Sequence, residues 1–357
     1  MSNWYISEKT LDEKLQNTAG VKARDDAEQI FEEMDFTPIF LSSADRTNQS
    51  KLKKLTFHAK LVSIWKKNLK DLKAGDSLFV QFPFVDHSVF LAPFFKKLKK
   101  RGVKVNVLIH DLDSFRFFLR TDVKKVERMR VKLEEDVLKY VNRIIVHNSR
   151  MKEVMVRRGY EAERLVPLGI FDYLIPDADE ERFAARKNEK DMPVIIAGTL
   201  RPHKAAYAYN LPETGAYTMY GVGYEGETNE RITYMGAFPP DDLPYEMEGS
   251  FGLVWDGGTA DTCDGVFGQY LKINNPHKTS LYLASGIPVI IWDEAALAGF
   301  VTKKGCGITV ASLAEIPEKI AALSEEEYAA MKENARRTGE KLREGAYLKR
   351  AIKASLE

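Results

Sequence analysis

The stretch Lys272-Ile273-Asn274-Asn275-Pro276-His277-Lys278-Thr279-Ser280-Leu281-Tyr282-Leu283-Ala284-Ser285-Gly286-Ile287-Pro288-Val289-Ile290 reads as a loop, a helix start, a short helix, a glycine stop and a buried strand. Asn275 has the side chain of a good N-cap, and Pro276 suits the first helical turn. Free backbone N–H groups at such a start form an anion site that the helix dipole strengthens. Lys278, one turn in, reaches a diphosphate as a point charge. The plainer reading is a simple helix start carrying a surface lysine, and the stretch alone does not separate the two.

Upstream of this stretch, Val194–Ala197, Tyr217–Tyr220, Ile232–Met235 and Phe251–Trp255 are strand candidates; Pro288–Trp292 and Ile308–Val310 follow it. The first half shows the same alternation. Asn3–Ser7, Pro38–Leu41, Ser77–Phe82, Val103–His110, Arg143–His147 and Leu165–Leu168 read as strands, with helical periodicity over Leu52–Leu72, Val89–Lys100 and Val123–Val141. Short apolar strands separated by helices mean βαβ units and parallel sheets. The polar, proline-bearing stretch Ile175–Asp191 reads as a linker. Four segments are therefore expected: a domain over 1–170, a linker over 171–191, a second domain over 192–335, and a helix over 336–357 packing back on the first domain. Two doubly wound domains place a cleft between the carboxyl ends of their strands.

At 357 residues the chain suits two such cores. A formal net charge of +1 implies no nucleic-acid partner. The region from Lys51 to Lys104 is nevertheless dense in Lys and Arg, with only Asp71, Asp76 and Asp86 against them. It is either a solvated set of helix faces, with Lys96–Arg101 complementing a helix C-terminus before Gly102, or a surface for anionic lipid or a lipid-linked acceptor. Cys263 and Cys306 form no disulfide framework or zinc pattern, the N-terminus lacks an apolar signal segment, and no apolar run approaches a membrane span. The expected location is the cytoplasm, with peripheral contact to the inner face of the membrane through the basic region.

Further candidates for chemistry lie at strand ends. Arg201, after Gly198-Thr199-Leu200, offers a bidentate grip on phosphate. In Gly236-Ala237-Phe238-Pro239-Pro240, the backbone can pair with a base edge while Phe238 stacks on it. His110 and Asp111 are candidate general bases; adjacent strand residues point to opposite sides, so one of them serves, and Asp111 is preferred. Asp111-Leu112-Asp113 also matches a metal-holding triplet that recurs by chance, and it sits in the wrong domain for that role. His147-Asn148-Ser149 reads as a strand end with Ser149 capping the next helix. The loop Asp256–Gly265 lacks the ligand spacing of a calcium site.

Together, Asn17-Thr18-Ala19-Gly20, His110-Asp111-Leu112-Asp113-Ser114, Val146-His147-Asn148, Gly252-Leu253-Val254-Trp255-Asp256 and above all Asn274-Asn275-Pro276-His277-Lys278 carry a resemblance. The chain resembles the bacterial β-1,6-galactofuranosyltransferase-like sugar transferases and the streptococcal glucosyltransferases that extend glycans on adhesins. That resemblance implies a GT-B fold: two Rossmann-like doubly wound α/β domains facing a cleft. It implies a hexosyltransferase that moves galactofuranose, glucose or galactose from a UDP-sugar to a saccharide acceptor, with no metal and no cofactor, assembled as a homo-oligomer. By position, Arg201 and Lys278 fall at the diphosphate, Ala237 and Phe238 fall at the uracil, Thr18 reaches in from the opposite lobe, and Asn275 and Thr279 belong to the same donor site. Pro202 after Arg201 and the long Asp256–Gly268 loop depart from the family pattern. The competing readings are a GT-B nucleotide-sugar epimerase and a non-catalytic glycan-binding or partner-stabilising protein.

Overall fold

A computed structural model describes residues 1–9, 19–42, 51–86, 88, 90–118 and 123–357. Six strands form the first sheet: β1 (Asn3–Lys9), β2 (Thr37–Ser42), β3 (Ser77–Phe82), β4 (Lys104–Ile109), β5 (Arg143–Val146) and β6 (Leu165–Pro167), in the order β2-β1-β3-β4-β5-β6. The second comprises β7 (Val194–Thr199), β8 (Tyr217–Val222), β9 (Ile232–Tyr234), β10 (Gly252–Val254), β11 (Val289–Trp292) and β12 (Gly307–Val310), in the order β12-β11-β10-β7-β8-β9. All these pairings are parallel. The strand order reverses between β1 and β3 in one sheet and between β7 and β10 in the other, the two places where such sheets take ligands.

The apolar runs become strands because helices cover both faces of each sheet. Every residue of β3 and β11 is buried. On one face of the first sheet, Trp65 of helix Lys51–Asn68 packs among Phe84, Phe94 and Phe95. Truncating an aromatic side chain in such a cluster costs about 3–5 kcal/mol. The helix ends at Asn68, short of Leu72, and Arg101 donates to the backbone oxygens of Lys70 and Leu72 beyond it. Arg101 is therefore bound to the end of the preceding segment, while Lys96, Lys97, Lys99 and Lys100 stay exposed.

The stretch between the sheets starts buried and continues as a polar, largely exposed segment from Pro176 on. Ile170 through Ile175 are buried, and a short helix, Glu180–Ala185, follows. The Asp172 carboxylate accepts the N–H groups of Tyr347 and Leu348, at the start of helix Ala346–Leu356. This satisfies donors that a helix start leaves free. The helix packs against β5, β6 and helix Ala19–Glu33, so the end of the chain lies on the first sheet. The tail is two helices, because Gly345 turns the chain at φ 71°. Among the described residues no helix is long and apolar enough to cross a membrane.

Gly339, in helix Glu325–Arg343, marks where the tail presses on helix His277–Ala284. A Cβ there would lie 2.2 Å from the Leu283 oxygen and 3.1 Å from the Ala284 Cα. Alanine gains about 1 kcal/mol of helix propensity but forces overpacking that costs about 1–3 kcal/mol. Gly339→Ala is expected to lower the melting temperature; a stabilised variant in thermal unfolding would show that the two helices are not in such close contact.

Candidate active site

The loops after the strands of one sheet meet those of the other. At their centre the Asn275 backbone N–H donates to His147 Nδ1 (2.9 Å), and its side-chain amide donates to the oxygens of His147 (2.6 Å) and Gly169 (3.1 Å). Asn148 donates to Asn275 Oδ1 (2.7 Å) and to the Ile273 oxygen (2.9 Å). Two expectations fail here. Asn275 is not the N-cap of helix His277–Ala284; Pro276 occupies that position with extended backbone, and the Asn275 side chain is committed across the domain junction. Ser149 does not cap its helix either: Asn148 does, accepting from the Met151 N–H at 2.9 Å.

One turn past Asn275, the Lys278 ammonium lies 2.8 Å from the Trp255 oxygen and 3.0 Å from Asp256 Oδ1. Burial opposes its charge most, but Asp256, Tyr282 and Cys263 together outweigh burial and the pKa is raised. Lys204, from the first helical turn after β7, sits over the Phe267 ring at 6.0 Å. Burial pulls its pKa down, with Lys278 and Arg116 adding repulsion and Asp256 and Asp111 opposing. Arg201 is exposed beside Gly223, where an added Cβ would meet its Cγ at 2.4 Å. Lysines from two strand ends and an arginine of the first domain thus feel one another's field at the β7–β10 reversal, a place suited to a polyanion.

Asp111 follows β4. Its Oδ1 accepts from the Tyr270 hydroxyl at 2.8 Å and from the Leu112 N–H at 3.0 Å, and its Oδ2 pairs with Arg116. The Arg116 guanidinium also lies over the rings of Phe267 and Tyr270. Burial raises the Asp111 pKa against the opposing pull of Arg116 and Tyr270. His110 turns the other way, as alternation requires. It stacks on Phe171 (5.6 Å, 6°) and its Nε2 lies 2.6 Å from Gln81 Oε1. Burial lowers its pKa well below the usual range. Phe171 also packs edge-on against His147 and His277, whose pKa values burial lowers to about 3 and about 4.

Of the other expected site residues, Ala237 is exposed and Phe238 is half-buried, its ring 6.1 Å from Tyr220. Thr279 is fully buried, and its hydroxyl has no hydrogen-bond partner among the described residues. Thr18 lies outside the described residues. In helix Ala19–Glu33, Lys22 bridges Asp26 and Asp241 and donates to the Leu174 oxygen. Lys204, Arg116 and Tyr270 were not singled out from the sequence. Lys204, three residues after Arg201, carried a spacing signal; Tyr270 carried none, because its partner lies 159 positions away.

Residues 3–170 match the N-terminal domain, and residues 194–355 the C-terminal domain, of the glucosyltransferase 3-like proteins. The chain is 33% identical over 290 residues to the β-1,6-galactofuranosyltransferase WbbI of Escherichia coli (strain K12), covering 80% of this chain and 81% of that one. It is 25% identical over 287 residues to glucosyltransferase 3 of Streptococcus gordonii, covering 78% of each. Among solved structures, sucrose-phosphate synthase from Thermosynechococcus elongatus superposes with a TM-score of 0.62 at 13% identity, over 99% of this chain and 98% of that one. The fold is GT-B.

Two outcomes follow from the junction. Asn275→Asp removes the amide donor and sets a carboxylate against two carbonyl oxygens. It is expected to cost more than the roughly 1–3 kcal/mol of one unsatisfied buried group, read by urea unfolding; a near-parental midpoint would mean that the web is not stabilising. His277 gives a pH signature. Between its ordinary value near 6.5 and its folded value of about 4, the unfolded chain takes up a proton that the folded chain refuses. Its contribution to stability therefore falls as pH drops through that window. His277→Asn should lose less stability than the parent between pH 6.5 and 4.5, by up to about 1.4 kcal/mol per pH unit, and parallel curves would contradict the assignment.

Proposed function

This chain belongs to the glucosyltransferase 3-like family, and from that premise we propose that it transfers a hexose from a UDP-sugar to a saccharide acceptor without a bound metal. It is a glycosyltransferase; one relative is named for galactofuranose transfer and another for glucose transfer, which supports galactofuranose, glucose or galactose as the unit moved. The observation that carries the donor assignment is the set of cations at the β7–β10 reversal. Lys278 and Lys204 face it, and Arg201 is exposed at its rim. In this proposal Lys278 exchanges its Asp256 contact for diphosphate, Arg201 grips the same group, and Thr279 offers its hydroxyl at the helix start. Ala237 and Phe238 take the uracil, and Thr18 closes from the first domain. Such cations stabilise a departing diphosphate in place of a divalent ion. Asn275 contributes by fixing the helix start.

The acceptor meets the first domain. An inverting transfer needs a group to take the acceptor hydroxyl's proton as the oxygen–anomeric carbon bond forms and the carbon–phosphate oxygen bond breaks. We assign that group to Asp111, whose raised pKa suits a base, with His110 supporting the strand end from the core side. The same proposal holds the protein in the cytoplasm as a homo-oligomer. The exposed lysines of helix Leu91–Lys100 are its contact with anionic lipid at the inner membrane face.

UDP affinity and turnover are expected to survive EDTA; activity abolished by chelation and restored by Mn²⁺ would sink the metal-free reading. Lys278→Ala and Arg201→Ala should each weaken UDP binding by roughly tenfold to a hundredfold in calorimetry, the value of a charge-assisted contact of about 1.5–3 kcal/mol. Unchanged affinity in both would return them to surface charges. Asp111→Asn should lower kcat strongly with little change in UDP affinity; near-normal turnover with the true acceptor would make Asp111 structural.

A further inference from the structure

Asp111 has a partner that the assignment of a base does not require. Tyr270 ends helix Gly265–Tyr270, in the second domain, and is 2% exposed. Its hydroxyl crosses the junction to Asp111 Oδ1 at 2.8 Å. A carboxylate oxygen has two lone-pair positions, and Oδ1 has both filled, one by Tyr270 and one by the Leu112 N–H at 3.0 Å. Among the described residues Oδ2 meets Arg116 and keeps a position open. The Asp111 side chain is one quarter exposed.

We infer that Tyr270 is a positioning residue of the transfer reaction: it reaches from the donor domain to fix the Asp111 carboxylate and leaves Oδ2 as the oxygen that takes the acceptor's proton. The inference rests on Asp111 being the base. Helix Gly265–Tyr270 lies between the loop that begins at Asp256, the partner of Lys278, and the segment that carries Asn275. The side chain that orients the base is thus carried by the domain that holds the donor, so the base is aligned when the two domains are closed on each other. A hydrogen bond donated to a carboxylate favours its ionised form. Tyr270 therefore also sets the pH below which the base is lost. Among the described residues, the other charged groups facing Asp111 are Arg116 and Asp113 on its own segment, Glu134 from helix Lys125–Leu138, and Lys204 from the second domain. Tyr270→Phe leaves all of them in place.

The test is the pH profile of kcat/KM for UDP-sugar turnover, measured on the full chain. Tyr270→Phe keeps the ring, and its acid limb is expected to move to higher pH by about half to one unit, with UDP affinity near parental. Site-specific 3-fluorotyrosine at position 270 has nearly the same shape and donates more strongly, so its acid limb is expected to move to lower pH. This second protein keeps the test decisive if Tyr270→Phe folds poorly. An acid limb that stays at the parental pH with 3-fluorotyrosine, while Asp111→Asn has lost turnover, overturns the role of Tyr270 and leaves the base assignment standing. Near-normal turnover of Asp111→Asn overturns the base assignment itself, and the inference with it.

Discussion

The hydrogen bonds that Asn275 makes across the domain junction constrain the site most. Its backbone N–H, amide nitrogen and amide oxygen all end on groups of the first domain. A buried amide is costly unless its donors and acceptor are matched, and here they are. Because both strand-end loops supply partners, the start of helix His277–Ala284 is fixed relative to β5, and Lys278 one turn later inherits that position. The buried chain from Ile170 to Ile175 and the Asp172 contact with the last helix tie the same two layers together from behind.

This rigidity allows opposed charges to be placed where solvent does not erase their interaction. Lys204 and Lys278 repel each other, and Asp256 offsets the repulsion. Asp111 is treated in the reverse manner. Burial disfavours its ionisation, and Arg116 and Tyr270 restore part of it. The two carboxylates thus face one small region from opposite sheets. Asp256 is paired with a lysine of its own domain, whereas Asp111 is held partly by a tyrosine of the other.

Much of this was readable in the sequence, for stated physical reasons. Strands buried on both faces must be continuous apolar runs, so β3, β4, β7 and β11 stand out, and their alternation with helices determines parallel sheets and two doubly wound layers. The Asn-Pro start and the glycine stop fix a short helix before β11, and Lys278 and Arg201 are visible as cations at strand ends. Local signals decide local structure, because capping, turns and periodicity act within a few residues.

What only the tertiary structure decided is pairing over distance. Nothing near Asn275 reveals that its amide serves His147 and Gly169 instead of its own helix, or that Asn148 displaces Ser149 as a cap. Phe171 to Ile175, at the start of the stretch between the domains, are buried, although the polar residues that follow them are mostly exposed. Arg116 and Tyr270 were anonymous as residues of short helices; they acquire meaning only when two sheets bring them to one carboxylate. Hydrogen bonds and ion pairs depend on separations of a few ångströms, and separation in space between residues more than a hundred positions apart is set by the packing of whole layers, which no local pattern encodes.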